Sequence, residues 1–128
     1  KSLNDQHGHL FGDRVLEKFS DIARRHIRKD DIFGRYGGEE FVFVFDNIDE
    51  RQSLEILKRI HTELETYFAK RYKLSVTFSA GVFTVTNDTM PLSHTKLLAK
   101  VDSLLYEAKG RGRGRAMSPS GEALFINT

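Results

Sequence analysis

No cysteine and no tryptophan occur among the 128 residues. Without cysteine there is no disulfide, no thiolate-bound zinc or iron–sulfur cluster and no thiol nucleophile, and a reducing cytoplasm suits such a chain. Long apolar runs are also missing: none approaches the roughly 20 residues that cross a bilayer, and no charged-then-apolar leader is expected. Nor is there an excess of one charge. Twenty Lys+Arg against 18 Asp+Glu leave a formal +2, too near balance for bulk nucleic-acid binding.

What is present fits a globular domain. Hydrophobic residues make up 39% and charged residues 30%, with 10 Phe and 4 Tyr, and the length is one domain's worth. Residues 1–128 therefore read as a single domain. Charge is uneven only locally: residues 109–115 hold four basic side chains, three glycines and no acid, a local anion-attracting patch.

Periodicity divides the chain further. Val15, Leu16, Phe19, Ile22, Ala23 and Ile27 recur at helical spacing, predicting a helix over residues 14–28 with Asp13 as its N-cap. Two strand-like runs flank Gly37-Gly38, predicting a β-hairpin whose glycines take the positive φ of a tight primed turn. Leu54, Leu57, Ile60, Leu64 and Phe68 predict a second helix over residues 49–72. Val76, Phe78, Ala80 and Val82 alternate with smaller or polar residues, predicting a half-buried strand over residues 74–85. A loop containing Pro91 follows. Leu97, Leu98, Val101, Leu104, Leu105 and Ala108 mark a third helix ended by Gly110, and residues 123–126 predict a final edge strand. The order implies an α+β fold, one sheet with helices packed on a face.

Gly37-Gly38-Glu39-Glu40-Phe41 carries the sharpest chemical signal. Adjacent strand residues point to opposite faces, so Glu39 and Glu40 converge only if the turn rotates one of them. A solvated hairpin tip is the plain reading. A Mg²⁺ site is the functional one, because carboxylates are the hard ligands Mg²⁺ prefers and bare glycines let a phosphate approach the backbone.

Arg35-Tyr36-Gly37-Gly38-Glu39-Glu40-Phe41 resembles the signature of the GGDEF family, the diguanylate cyclases, in its Gly-Gly-Glu-Glu-Phe form. Asn4-Asp5, Gly8-His9, Gly12-Asp13, Ser79-Ala80-Gly81-Val82, the DSLLYEAK run starting at Asp102, and Gly112-Arg113 match in the family's order and spacing.

The resemblance implies a palm-like nucleotidyl cyclase fold of βαββαβ type, with an antiparallel or mixed central sheet. It implies a cytoplasmic bacterial domain that condenses two GTP into cyclic di-GMP and two pyrophosphates, with Mg²⁺ (or Mn²⁺), as a homodimer and under an upstream sensory domain. Neither nucleic acid nor a membrane span is expected. Glu39 and Glu40 would be catalytic and hold the metal, and Gly37 and Gly38 would lie under the triphosphate. Lys1, Lys109 and Arg113 would contact phosphates. Asn4 and Asp13 would read guanine, since a carboxylate accepts from its N1–H and N2–H₂ while an amide pairs with its acceptor edge. Arg28 and Asp31, an Arg-x-x-Asp six residues before Gly37, would form the inhibitory product site, with Arg59 a secondary contact.

The family pattern normally opens with a strand carrying an Asp-x-Asp-like pair just before the position of Lys1. That strand, and the metal ligand on it, is not in this sequence: either the chain is a fragment of a larger protein or this copy has lost the strand, and the 1–128 domain reads as N-terminally truncated and not expected to hold both metals properly by itself.

Other readings stay open. A solvated tail or a nucleic-acid arm would account for residues 109–115, although no aromatic residues interleave with the cations. A non-catalytic receptor for cyclic di-GMP or GTP would use Arg28 and Asp31 but has no need of Glu39 and Glu40. A purely structural dimerisation module leaves the guanine-edge residues unexplained. His7 and His9 could suggest a metal, yet a structural hydrogen bond fits His9 better. Phe41, Phe43 and Phe45 read as core, and Asp102 as a cap or a helix–sheet hydrogen bond.

Overall fold

The computed structural model describes residues 9–86 and 93–125, with side chains from residue 11 onward. Lys1, Asn4 and His7, the His9 side chain and the Pro91 loop lie outside the described residues. The elements are α1 (His9–His26), β1 (Ile32–Gly37), β2 (Glu40–Asp46), α2 (Glu50–Tyr72), β3 (Ser79–Val85), α3 (His94–Gly110), β4 (Arg115–Ser118) and β5 (Gly121–Leu124).

Helix α1 buries Val15, Phe19, Ile22 and Ala23. It begins at His9, so Asp13 lies inside it, and the expectation of an Asp13 N-cap is overturned. Helix α2 begins where the sequence places it. Asp49 accepts from the Gln52 N–H at 2.7 Å while the Gln52 side chain accepts from the Asp49 N–H at 3.0 Å, a reciprocal capping box. It ends on Lys73, whose φ of 56° turns the chain left-handed and lets its N–H donate to the Ala69 carbonyl. Helix α3 starts on Ser93, whose side chain accepts from the Lys96 N–H. Gly110 is its last residue rather than its stop; the cap is Arg111, in right-handed conformation.

The five strands form one mixed sheet in the order β1-β2-β3-β4-β5. β1/β2 and β4/β5 are antiparallel, whereas β2/β3 and β3/β4 are parallel. The parallel pairs are joined through α2 and α3, as parallel strands require a crossover. β5 forms the expected edge, but β4 carries too little pattern to be read from sequence: it is four residues long, flanked by Gly114 and Pro119.

Helices cover both faces of the sheet, not one. Phe41, Phe43, Phe45, Ala80 and Val82 join the residues of α1 and α2 in one core. Val42, Phe83 and Met117 pack against Val101, Leu104, Leu105 and Ala108 of α3 in another. β3 is consequently buried on both faces rather than half-buried. Gly81 explains why its alternation misleads: it faces helix backbone, where a Cβ would stand 2.5 Å from the Val101 carbonyl oxygen and 2.7 Å from the Leu105 nitrogen. A side chain there would force α3 away from the sheet.

Candidate active site

The hairpin turn is Gly38-Glu39, one residue later than expected, because Gly37 pairs with Glu40. Neither Gly37 nor Gly38 takes a positive φ. The displacement comes from a bulge: Arg35 pairs with Phe41 and Gly37 with Glu40, leaving Tyr36 extra. The Arg35 Nε donates to the Gly37 carbonyl at 2.8 Å. Glu39 thereby sits in the turn, outside the strand's alternation, and can share a site with Glu40.

The turn is tied to β3. The Ser79 N–H donates to the Glu39 carbonyl at 2.8 Å, and the Ser79 hydroxyl accepts from the Gly114 N–H at 3.0 Å. Between them lies a cleft of about 430 Å³ lined by Gly38, Glu39, Thr77, Phe78, Ser79, Arg113 and Gly114. Gly112, Arg113 and Gly114 have φ of 120°, 65° and 58°, a left-handed run that only glycine adopts freely. It folds the chain after α3 back onto the hairpin. There the Arg113 guanidinium donates to Glu40 Oε2 at 3.0 Å and the Lys109 ammonium to Oε1 at 3.4 Å.

The two adjacent carboxylates are pushed in opposite directions. Burial holds the Glu39 pKa above the usual glutamate value, the Glu40 charge adds to that, and Arg113 only partly opposes it. For Glu40 burial also acts upward, but the Arg113 hydrogen bond and the Lys109 charge prevail and lower it. Neighbouring acids driven apart in this way are a mark of functional sites.

Six of the expected residues are thus brought together: Gly37, Gly38, Glu39, Glu40, Lys109 and Arg113. Asp13 is exposed on α1 and is not among the residues lining the cleft. Arg28 and Asp31 lie just before the start of β1, at the opposite end of the strand from Gly37. Asp31 is 1% exposed at its side chain. It accepts from the Arg28 N–H at 2.7 Å, the Asp46 N–H at 2.9 Å and the Arg28 guanidinium, which also donates to the Asp46 carbonyl. Burial acts upward on the Asp31 pKa, but these hydrogen bonds outweigh it and hold the carboxyl below its usual value. Arg59 lies exposed on α2. Sequence reasoning missed Thr77, Phe78 and Gly114 as cleft walls, and gave Ser79 no role. Their only signal was proximity to matched strings.

The site is that of an α+β domain in which an acidic hairpin turn at one end of a mixed sheet faces a basic turn. The family model for the diguanylate cyclase GGDEF domain matches residues 1–115, and the chain belongs to that family. It is 35% identical over 119 residues to diguanylate cyclase A of Treponema denticola, covering 90% of this chain and 31% of that protein. It is 33% identical over 120 residues to diguanylate cyclase DosC of Escherichia coli K12, covering 90% of this chain and 25% of that one. The chain therefore spans less than a third of the length of these curated relatives. Among solved structures, it resembles the GGDEF domain of DgcB from Caulobacter crescentus in complex with c-di-GMP. The TM-score is 0.62 at 21% identity, over 92% of this chain and 70% of that one. That likeness establishes the palm-like cyclase fold.

Proposed function

We propose that the protein carrying this chain condenses two GTP into cyclic di-GMP and two pyrophosphates, one GTP on each of two facing protomers. The observation that supports this most is the division of labour at the turn. Glu39 stands in the cleft with a raised pKa, while Glu40 is neutralised by Lys109 and Arg113.

Among the described residues no third histidine or carboxylate joins Glu39 and Glu40. The pair fits Mg²⁺ or Mn²⁺ nonetheless, because such ions bind through one or two carboxylates, with water and phosphate oxygens completing the shell. Glu39 is the better placed ligand, since among the described residues the cations reaching the acidic pair bond to Glu40. When bound, the cation would neutralise phosphate charge and acidify the attacking 3′-hydroxyl. Glu39 would orient that hydroxyl and draw its proton. Lys109 and Arg113 would exchange Glu40 for phosphate oxygens, joined by Lys1, while Gly37 and Gly38 leave room for the triphosphate. Asn4 and Asp13 would read the guanine edge.

Regulation by product is part of the proposal. The Arg28 guanidinium is largely exposed, with Asp31 buried beneath it, so Arg28 would meet a phosphate or guanine face of cyclic di-GMP first, with Arg59 as a further contact. A cytoplasmic homodimer under an upstream sensory domain completes the reading.

The test is incubation of the full-length protein with GTP and Mg²⁺, separating nucleotides by chromatography. The expected result is cyclic di-GMP and pyrophosphate in a ratio of 1:2, with no product from ATP. Binding of cyclic di-GMP or GTP without turnover would make the domain a receptor. Absence of both binding and turnover would leave a dimerisation module.

A further inference from the structure

Ser79 has no part in the reaction proposed above, yet it touches both sides of the cleft. It opens β3 and shares a strand face with Gly81, the face turned to α3, so the chain leaving α3 passes over it. The Ser79 N–H donates to the Glu39 carbonyl at 2.8 Å, and its hydroxyl accepts from the Gly114 N–H at 3.0 Å. Ser79 is 2% exposed and Gly114 is buried as well, so this N–H has little access to water as an alternative partner. The turn that carries Arg113 needs such a hold. Arg113 has a φ of 65°, a left-handed conformation that is costly for a residue with a side chain and persists where its surroundings enforce it. Three bonds enforce it here. The Arg113 N–H donates to the Ala108 carbonyl at 2.9 Å, the Gly114 N–H to Ser79, and the Gly114 carbonyl accepts from the Phe125 N–H at 2.9 Å. Of the three, the Ser79 bond alone uses a side chain, and it alone reaches the strand that also holds the acidic turn.

We propose that the Ser79 hydroxyl clamps the basic turn and makes Ser79 a positioning residue for Arg113. One residue thereby sets the spacing between Arg113 and Glu39 across the cleft that both line. The Arg113–Glu40 ion pair cannot do this during the reaction, because Arg113 would give up Glu40 for phosphate oxygens when substrate binds. The Ser79 bond to Gly114 stays in place through that exchange, since it involves backbone rather than the guanidinium. Alanine at position 79 would leave the Gly114 N–H buried and unpaired, while the backbone bond to Glu39 would remain. The positioning role rests on the phosphate-binding reading of Arg113; the clamp itself does not.

Two measurements on the full-length protein separate these. Hydrogen exchange of peptides covering residues 111–114 reports the clamp. Ser79→Ala should speed exchange there roughly three- to tenfold, with peptides covering residues 57–64 of α2 unchanged. Ser79→Thr, which keeps the hydroxyl, should exchange as wild type does. Turnover of GTP reports positioning: kcat/KM of Ser79→Ala should fall about tenfold, divided between kcat and KM in the proportion seen for Arg113→Ala. Because Ser79 acts through Arg113, the double variant should lie within about twofold of Arg113→Ala alone. Unchanged exchange in Ser79→Ala, equal acceleration in both sets of peptides, or exchange in Ser79→Thr as fast as in Ser79→Ala would overturn the clamp. Multiplying losses in the double variant, or wild-type turnover in Ser79→Ala, would overturn the positioning role. The expected exchange pattern in a protein whose wild type makes no cyclic di-GMP would instead overturn the function proposed for the site and leave the clamp standing.

Discussion

His61 shows how far a residue's fate depends on surroundings that its sequence neighbours do not reveal. Its ring stacks on Phe125 with centroids 4.5 Å apart and planes 13° apart, and Nε2 lies 3.1 Å from the Thr77 hydroxyl. Burial pushes its pKa below 6.5, with Glu65 pulling only partly back. The unfolded chain therefore takes a proton before the folded one does. Stability from this site is complete above pH 6.5 and declines as pH falls from there toward the lower folded value. Thermal unfolding at pH 7.5 and 5.5 should show a smaller loss for His61→Leu than for wild type, and equal losses would refute the assignment. Other residues were more legible. Glu39, Glu40, Lys109 and Arg113 could be named from the resemblance to the family signature, and their types suit phosphate and metal chemistry. Their opposed pKa values could not, because these depend on Arg113 returning from 73 residues away.

At the scale of elements, α3 and β3 are joined through the absence of a side chain. Gly81→Ala would drive a Cβ into the Val101 and Leu105 backbone, atoms that no rotamer change can move aside. The expected cost is about 1–3 kcal/mol by overpacking, measured by urea unfolding, together with reduced turnover as Lys109 and Arg113 shift. A change below about 0.5 kcal/mol, the range of an ordinary surface substitution, would show that the contact yields. The helices were legible because Val15, Phe19 and Ile22, or Leu57, Ile60 and Leu64, repeat at a period that only one face of a helix satisfies. The hairpin was legible from its glycines. The Tyr36 bulge that moves its turn by one residue was not, because bulges answer to cross-strand register rather than to local composition. β3 read as half-buried because Gly81 looks like a gap in the pattern when it is a contact.

For the molecule as a whole, the placement of helices decides where chemistry can occur. α1 and α2 close one face over the phenylalanines of β2, and α3 closes the other. The cleft forms at the ends of the central strands, where the β1–β2 turn, the start of β3 and the turn before β4 meet. Sequence alone implied a single covered face, since helical stripes state that a face is buried but not against which side of a sheet. Glu39 stands in that cleft at a cost to stability: its raised pKa means that ionisation at neutral pH opposes folding, more so as pH rises through the window above its ordinary value of 4.5. A carboxyl whose ionisation opposes the fold is expected where activity is favoured over stability. The most direct measurement is therefore cyclic di-GMP formation by full-length Glu39→Gln, paired with its thermal unfolding at pH 7.5. The account predicts at least a 100-fold fall in rate, about 2.7 kcal/mol in transition-state free energy, with a melting temperature equal to or above that of wild type. A rate within threefold of wild type, in a protein equally well folded, would contradict it.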